Sequence, residues 1–389
     1  VKRWLTWLSD SSLTVLVVLG LLSLPFYKAE DLRQKFVGAH AVEPGATMAL
    51  LLLTLAAAVL SVLRRDHVRA NPAQLTWDDH GDRDRKIRGG LWVALLVRFV
   101  AVGYVAVSAG LILGWPDLPL AAALTASSAL FAFRWANRPY AWFELAAPLA
   151  LALSGVLFVG PVVLWVLAAA LAVASFPRRR RVKRIELVRG WNARILRSVS
   201  AAFGDVLALL PPGRPVRLRL TDPFRFALAG VLARRSALPL AVLLALAVPV
   251  LRHVFPVVSP AWWAGLGAYL AVLPFAGGLA EVIRTAGLRR WVSPTTKTLK
   301  FAALVVLTVA AALWTAATAL LGLPFVPLAV PLAAWAVVRT VTRPDVDYTA
   351  GASVDVGGLY SPVGLVVQLL RGPDLLLLGV LVLSYFHSS

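Results

Sequence analysis

Residues 46–63 read ATMALLLLTLAAAVLSVL and run directly into Arg64-Arg65. No side chain in that run is charged. A helix rising 1.5 Å per residue needs about 20 mostly apolar residues to cross the hydrocarbon core of a bilayer, and a basic pair at one end marks the side that stays in the cytoplasm. Stretches of this kind recur along the chain. The 389 residues are 59% hydrophobic and only 15% charged, with a mean hydropathy of +0.78. Soluble domains average about 45–50% apolar and about 25% charged, so a soluble enzyme or a DNA-binding module is excluded.

Working outward from 46–63, about eleven stretches reach spanning length. They are 11–27, 46–63, 91–114, 118–134, 140–157, 159–176, 238–255, 260–280, 301–321, 323–339 and 364–386. The expected fold is therefore all-α and polytopic. Its parts are a first membrane half over 1–176, a basic connector with amphipathic helices over 177–237, and a second membrane half over 238–389. The fifth and sixth stretches are separated only by Gly155–Pro161, which reads as a tight outer hairpin or a re-entrant pair. The eleventh is interrupted at Arg371-Gly-Pro-Asp374.

The chain carries 39 Lys and Arg against 19 Asp and Glu. The surplus sits between apolar stretches, as in a multi-pass protein of a bacterial inner membrane, so the high pI does not argue for nucleic acid. Basic residues crowd 64–90, 177–237 and 281–300. The loops near 115–118, 155–160 and 321–324 have none. This alternation puts the N-terminus in the cytoplasm. The 28–45 loop is balanced in charge, and Arg252 sits at an outer end. No small-residue cleavage site follows the first apolar run. A composition rich in Ala, Leu, Val and Arg suits a high-GC bacterium. The absence of Cys excludes disulfides and thiolate chemistry, and 5 scattered His make a His-based metal site improbable.

The two halves share a plan. A short amphipathic stretch comes first, over Arg3–Leu8 and again over Asp222–Arg235. Two spans follow, then a charged loop with a Trp (Trp77 or Trp291), then two more spans. This layout resembles the ABC-2 type exporter permeases, large actinobacterial members included. The stretch Leu75-Thr-Trp-Asp-Asp-His-Gly-Asp-Arg-Asp-Arg-Lys-Ile-Arg-Gly-Gly-Leu91 is similar to a run associated with them. The resemblance implies that an amphipathic helix lies on the inner leaflet before the first span. It implies also that the loop between the second and third spans docks on a separate ATPase. Trp77, Asp82, Arg83, Arg85, Trp291 and Lys297 are the candidate docking residues. No phosphate-binding Gly-rich loop is present, so the chain does not hydrolyse ATP itself.

Asp78-Asp79-His80-Gly81-Asp82 has the DDxxD spacing with which carboxylates hold Mg²⁺ and a diphosphate, and membrane prenyltransferases carry such a motif after their second span. They need a second Asp-rich motif, which 281–300 lacks. Arg83, Arg85, Lys86 and Arg88 interleave with the acids, which suits a solvated docking face. Arg98 falls roughly 12 Å into the third span, and Glu144 enters the fifth from the same side. Intramembrane charges are paired or face a cavity, so Arg98 and Glu144 are expected to form an ion pair or line a substrate path. Glu281 and Arg284 have the spacing of a surface pair. Arg178–Arg181 reads as a stop-transfer anchor on anionic headgroups, and 183–210 as an interfacial or partner-docking helix.

The expectation is a permease subunit of an ABC-type exporter, with no catalytic, cofactor-binding or metal-binding residues of its own. Its partners would be membrane lipids, a separate nucleotide-binding ATPase and further membrane subunits, with no nucleic acid. The alternatives are a non-catalytic subunit of a larger membrane assembly and a Mg²⁺-dependent prenyl- or lipid-diphosphate transferase.

Overall fold

The computed structural model describes residues 12–38, 45–65, 68–73, 75, 83–136, 142–176, 184–202, 213, 216, 222–290, 292, 294–344, 354–356, 359–361 and 371–388. These residues are helical apart from turns and one short strand pair. Contacts divide the chain into two units, Val1–Leu187 with His253–Val257, and Val188–Arg252 with Val258–Ser389.

In the first unit, α1 is Ser12–Tyr27, α2 is Ala29–Phe36 and α3 is Ala46–Leu63. α2 is a short polar helix in the charge-balanced loop. Glu30 and Asp31 occupy its first turn and Arg33 and Lys35 its last, which is the order the helix dipole favours. α3 is the unit's core. Nearly all of it is buried, because small and medium apolar side chains on every face let α4 (Arg83–Leu113), α5 (Leu118–Ala136) and α6 (Ala146–Val156) pack around it. Gly155 of α6 lies over Ala49 of α3, where a Cβ would sit 3.1 Å from the Ala49 carbonyl oxygen. α4 has 31 residues, about 46 Å of helix. It begins well before the predicted span at 91, since nothing from Arg83 to Arg88 breaks a helix. It buries Leu91, Leu95 and Val102 and exposes Trp92, Val93, Leu96, Val97 and Val100. One stripe packs and the other is left for lipid, as expected of a helix at a bundle's edge. A 3-10 turn over Trp142–Leu145 leads into α6, and α7 (Pro161–Ala174) packs on α5. The Trp135 indole donates to the Ala174 carbonyl at 2.9 Å, tying the ends of α5 and α7. α8 spans Arg184–Ala202, its first four residues in this unit and the rest in the second; the other residues of the predicted 183–210 helix lie outside the described residues.

In the second unit, Asp222 caps α9 (Pro223–Ala233) by accepting the Phe224 N–H, and Pro223 opens the helix at the position where its missing N–H does no harm. A 3-10 turn over Arg235–Ala237 joins it to α10 (Leu238–Val254). Ser259 caps α11 (Pro260–Val272). A 3-10 turn over Leu273–Ala276, containing Pro274, then leads to α12 (Gly277–Arg284). The predicted span at 260–280 is therefore a broken helix, because proline removes a backbone donor and clashes with the preceding turn. After the short α13 (Ala286–Arg290), Thr295 caps α14 (Thr296–Leu320); α15 is Ala329–Val341 and α16 is Pro373–Ser388. α11, α15 and α16 meet along small side chains. Ala261, Ala264 and Ala268 are buried, as are Ala333, Ala334 and Val337, and the close approach resembles small-residue packing between membrane helices. The buried Trp314 indole donates to the Ala241 carbonyl, and the Tyr269 and Thr340 hydroxyls bond at 3.0 Å. Between α15 and α16, β1 (Val354–Val356) and β2 (Leu359–Ser361) pair antiparallel, with Asp355 opposite Tyr360. This small ribbon is an addition that hydropathy did not signal, and the architecture around it is helical as expected.

Six helices among the described residues are long and apolar enough to cross a membrane. They are Ala46–Leu63, Arg85–Leu113, Leu118–Ala136, Arg235–Val254, Pro260–Arg284 and Thr296–Leu320. The other predicted spans coincide with apolar helices of 10–17 residues. Prolines explain one shortening. Pro324 and Pro327 delay α15 to Ala329, where a span from 323 was expected. At Arg371-Gly372 the chain turns, with Gly372 at φ +118° where a Cβ would collide with Thr340, and α16 follows from Pro373; residues 364–370 of the predicted last span lie outside the described residues.

Candidate functional site

Of the described sequence-derived candidates, Arg85 and Lys297 lie in the first turns of long helices, Arg98 further along α4, and Glu144 in the turn ahead of α6. α3 ends in Arg64-Arg65 because the chain turns there, with Arg65 in the left-handed region at φ 59°. The turn aims Arg65 across the end of the unit. Its Nη2 donates to both oxygens of Glu144, at 2.7 and 2.6 Å. Its Nη1 donates to the Leu63 carbonyl. Glu144 sits in the 3-10 turn ahead of α6 and is 1% exposed. One guanidinium thus joins the end of α3 to the start of α6, with a longer bond to the Trp135 carbonyl at the end of α5.

This corrects the expected pair. Arg98 does not bond Glu144. Its Nε donates to the Ser61 hydroxyl of α3 at 2.8 Å, and its Nη1 to the Ala94 carbonyl one turn earlier in α4 at 3.0 Å. Arg98 falls in step with the buried Leu91, Leu95 and Val102, so its charge is turned toward α3. Ser61 meets it before Glu144 can. In the sequence Arg65 is one of many basic residues that follow an apolar run, with no mark that sets it apart. The usable signal was Glu144 itself, a lone acid among apolar residues, to be matched against every Arg at the same helix ends.

The second unit carries a similar bond. Arg234, between α9 and the turn into α10, is buried and paired with Glu281 of α12, whose side chain is mostly exposed. Burial pulls Arg234 below its ordinary value, and the charge and hydrogen bond of Glu281 oppose that shift. The described ion pair of Glu281 is thus with Arg234, and the pairing with Arg284 expected from spacing is replaced. Gly277 makes room for it, because a Cβ there would strike the Arg234 guanidinium. Next to it, a Cβ on Gly278 would sit 3.0 Å from the Cα of Gly230, so α9 and α12 cross backbone to backbone. Arg339 and Asp374 pair at 2.8 Å where α15 ends and α16 begins.

Of the candidate docking residues, Trp77, Asp82 and Trp291 lie outside the described residues, as does the run Asp78–Asp82. Arg83 opens α4, its side chain outside the described set; Arg85 is exposed on the same turn, and Lys297 is exposed on the first turn of α14. The loop between α12 and α14 is tied down by Arg289. Its guanidinium donates to the Val292 and Pro294 carbonyls at 2.6 and 2.7 Å and to the Thr296 hydroxyl at 3.2 Å. α13 is thereby fixed to the start of α14. No group of three His, Asp or Glu residues suited to a metal occurs among the described residues. The arrangement holds helix ends against one another and presents basic side chains beside them. No family model matches the chain, and neither a curated protein nor a solved structure is significantly similar to it.

Proposed function

We propose that the chain is the membrane-spanning permease subunit of an ABC-type exporter in a bacterial inner membrane, driven by a separate ATPase. The observation that carries the reading is α13, a five-residue basic helix between two spanning-length helical segments and clamped to the second by Arg289. A short rigid helix at that place can pass a push from a docked subunit into the helices that follow it. Supporting features are the short apolar α9 ahead of α10 and the hairpin of α6 and α7 at the end of the first membrane half. In this reading the shorter apolar helices join the six long ones to make about eleven membrane segments. The halves are related repeats, and the loop charges keep the N-terminus in the cytoplasm. Substrate passes between helices with no catalytic residue, cofactor or nucleic acid involved.

The test is affinity purification of the tagged chain from the cells that encode it, with the bound proteins identified by mass spectrometry. A nucleotide-binding ATPase is expected at a fixed ratio. Truncating an aromatic anchor at an interface costs about 2 kcal/mol or more, so Trp77→Ala and Trp291→Ala should each weaken its retention roughly thirtyfold without reducing membrane insertion. Wild-type protein that brings down no ATPase refutes the exporter reading. Full retention by both variants refutes the docking surface.

A further inference from the structure

A cavity of about 470 Å³ opens at the basic end of the second unit, between α14, α15 and the turn before α16. Its rim is cationic, formed by Lys300, Arg339 and Arg371, and no acidic residue lines it among the described residues. Arg339 is held by Asp374 at 2.8 Å, and the charge of Arg371 also acts on that carboxylate, whereas the Lys300 side chain has no hydrogen bond or ion pair with a described residue. The deeper wall is apolar, with Phe301 and Leu304 from α14 and Trp335 from α15. The two helices place these groups in the same order. Leu304 follows Lys300 by four residues and Trp335 precedes Arg339 by four, so on each helix the apolar group lies one turn, about 6 Å, inward of the cation. Phe301 and Trp335 are exposed in the second unit despite their size.

We infer that this cavity is a binding site for an anionic glycerophospholipid. Its phosphodiester would sit among Lys300, Arg339 and Arg371, and the start of an acyl chain would lie along Phe301, Leu304 and Trp335. A cluster of cations that outnumbers the described carboxylate beside it, Asp374, attracts a phosphate, and basic pockets between membrane helices recognise lipid headgroups in this way. The apolar wall distinguishes a lipid from a soluble phosphate compound, which would leave it wet. Trp335, exposed and lining the cavity, suits such a boundary, since an indole joins an apolar ring to a polar N–H. The inference rests on the membrane character of the helices and not on the exporter reading.

The test uses the full chain purified in mild detergent, with retained lipid counted by native mass spectrometry after incubation with phosphatidylglycerol or phosphatidylcholine. Phosphatidylglycerol should be retained preferentially. Each headgroup contact with a basic residue contributes about 1 kcal/mol near a membrane surface, which is roughly fivefold in affinity at 1.36 kcal/mol per tenfold. Lys300→Gln should therefore weaken retention roughly fivefold, and Lys300→Gln with Arg371→Gln roughly thirtyfold. Both changes fall on the rim, and monodisperse elution verifies folding. Arg235→Gln, which removes an exposed charge away from the cavity, should leave retention as in wild type. Equal retention of the two lipids by wild type, or unchanged preference in the double variant, overturns the inference. So does displacement of phosphatidylglycerol by an equal concentration of free glycerophosphate, which would identify a soluble phosphate ligand instead.

Discussion

Replacing Glu144 with Ala removes the carboxylate that accepts two short bonds from Arg65, at 2.6 and 2.7 Å. At that separation and an effective dielectric constant of about 20, the Coulomb attraction is about 6 kcal/mol. Desolvating each ion offsets several kcal/mol, so the intact pair contributes little net stability. Deleting one partner is different, because the remaining charge keeps its desolvation penalty and loses the attraction. With Glu144 1% exposed and the Arg65 side chain 14% exposed, Glu144→Ala should destabilise the chain by about 3–5 kcal/mol. Arg65→Ala with Glu144→Ala together should be milder than the sum of the single changes by about 2 kcal/mol or more. Arg98→Ala removes bonds to Ser61 and Ala94 and should cost about 1–2 kcal/mol. Combined with Glu144→Ala it should be additive within about 0.5 kcal/mol. The assay is the unfolding midpoint of the purified chain in a mixed-micelle denaturant titration, run on both double-mutant cycles. Additivity between Arg65 and Glu144, or a stronger coupling between Arg98 and Glu144, would refute the assignment of partners.

Gly277→Leu should break the Arg234–Glu281 pair by driving a side chain into the guanidinium, lowering stability by about 3 kcal/mol or more in the same titration. Gly287→Ala, where a Cβ meets nothing within 4 Å, should stay within about 1 kcal/mol of wild type; equal effects at the two glycines would contradict the packing described. Because the chain has no Cys, Arg194→Cys gives a single label site on the exposed surface of α8. In intact cells it should resist an impermeant maleimide and react only after permeabilisation, and labelling from outside would reverse the proposed orientation.

Much of the architecture is local and is legible in the amino-acid sequence. The charge-free run at 46–63 and the Arg pair that ends it specify α3 by length and composition alone. Pro223 after Asp222 marks the start of α9, and the clustering of Lys and Arg between apolar runs separates basic loops from uncharged ones. Pro324 and Pro327 also carried a readable signal. A count of apolar residues passed over them, because hydropathy does not register a missing backbone donor. The site was less legible. Arg65 and Arg98 carry the same charge near the same helix ends, and nothing in their spacing says which one Glu144 receives. That choice depends on the left-handed turn at Arg65, on the rotation of α4 that turns Arg98 toward Ser61, and on the packing of α6 against α3. Likewise, the rim of Lys300, Arg339 and Arg371 comes from positions up to 71 residues apart in the numbering. Hydrophobic length and charge bias act through the solvent on each segment separately, so sequence reports them. The partner of a buried charge is set by helix–helix contacts a few ångströms wide, and only the tertiary structure determines those.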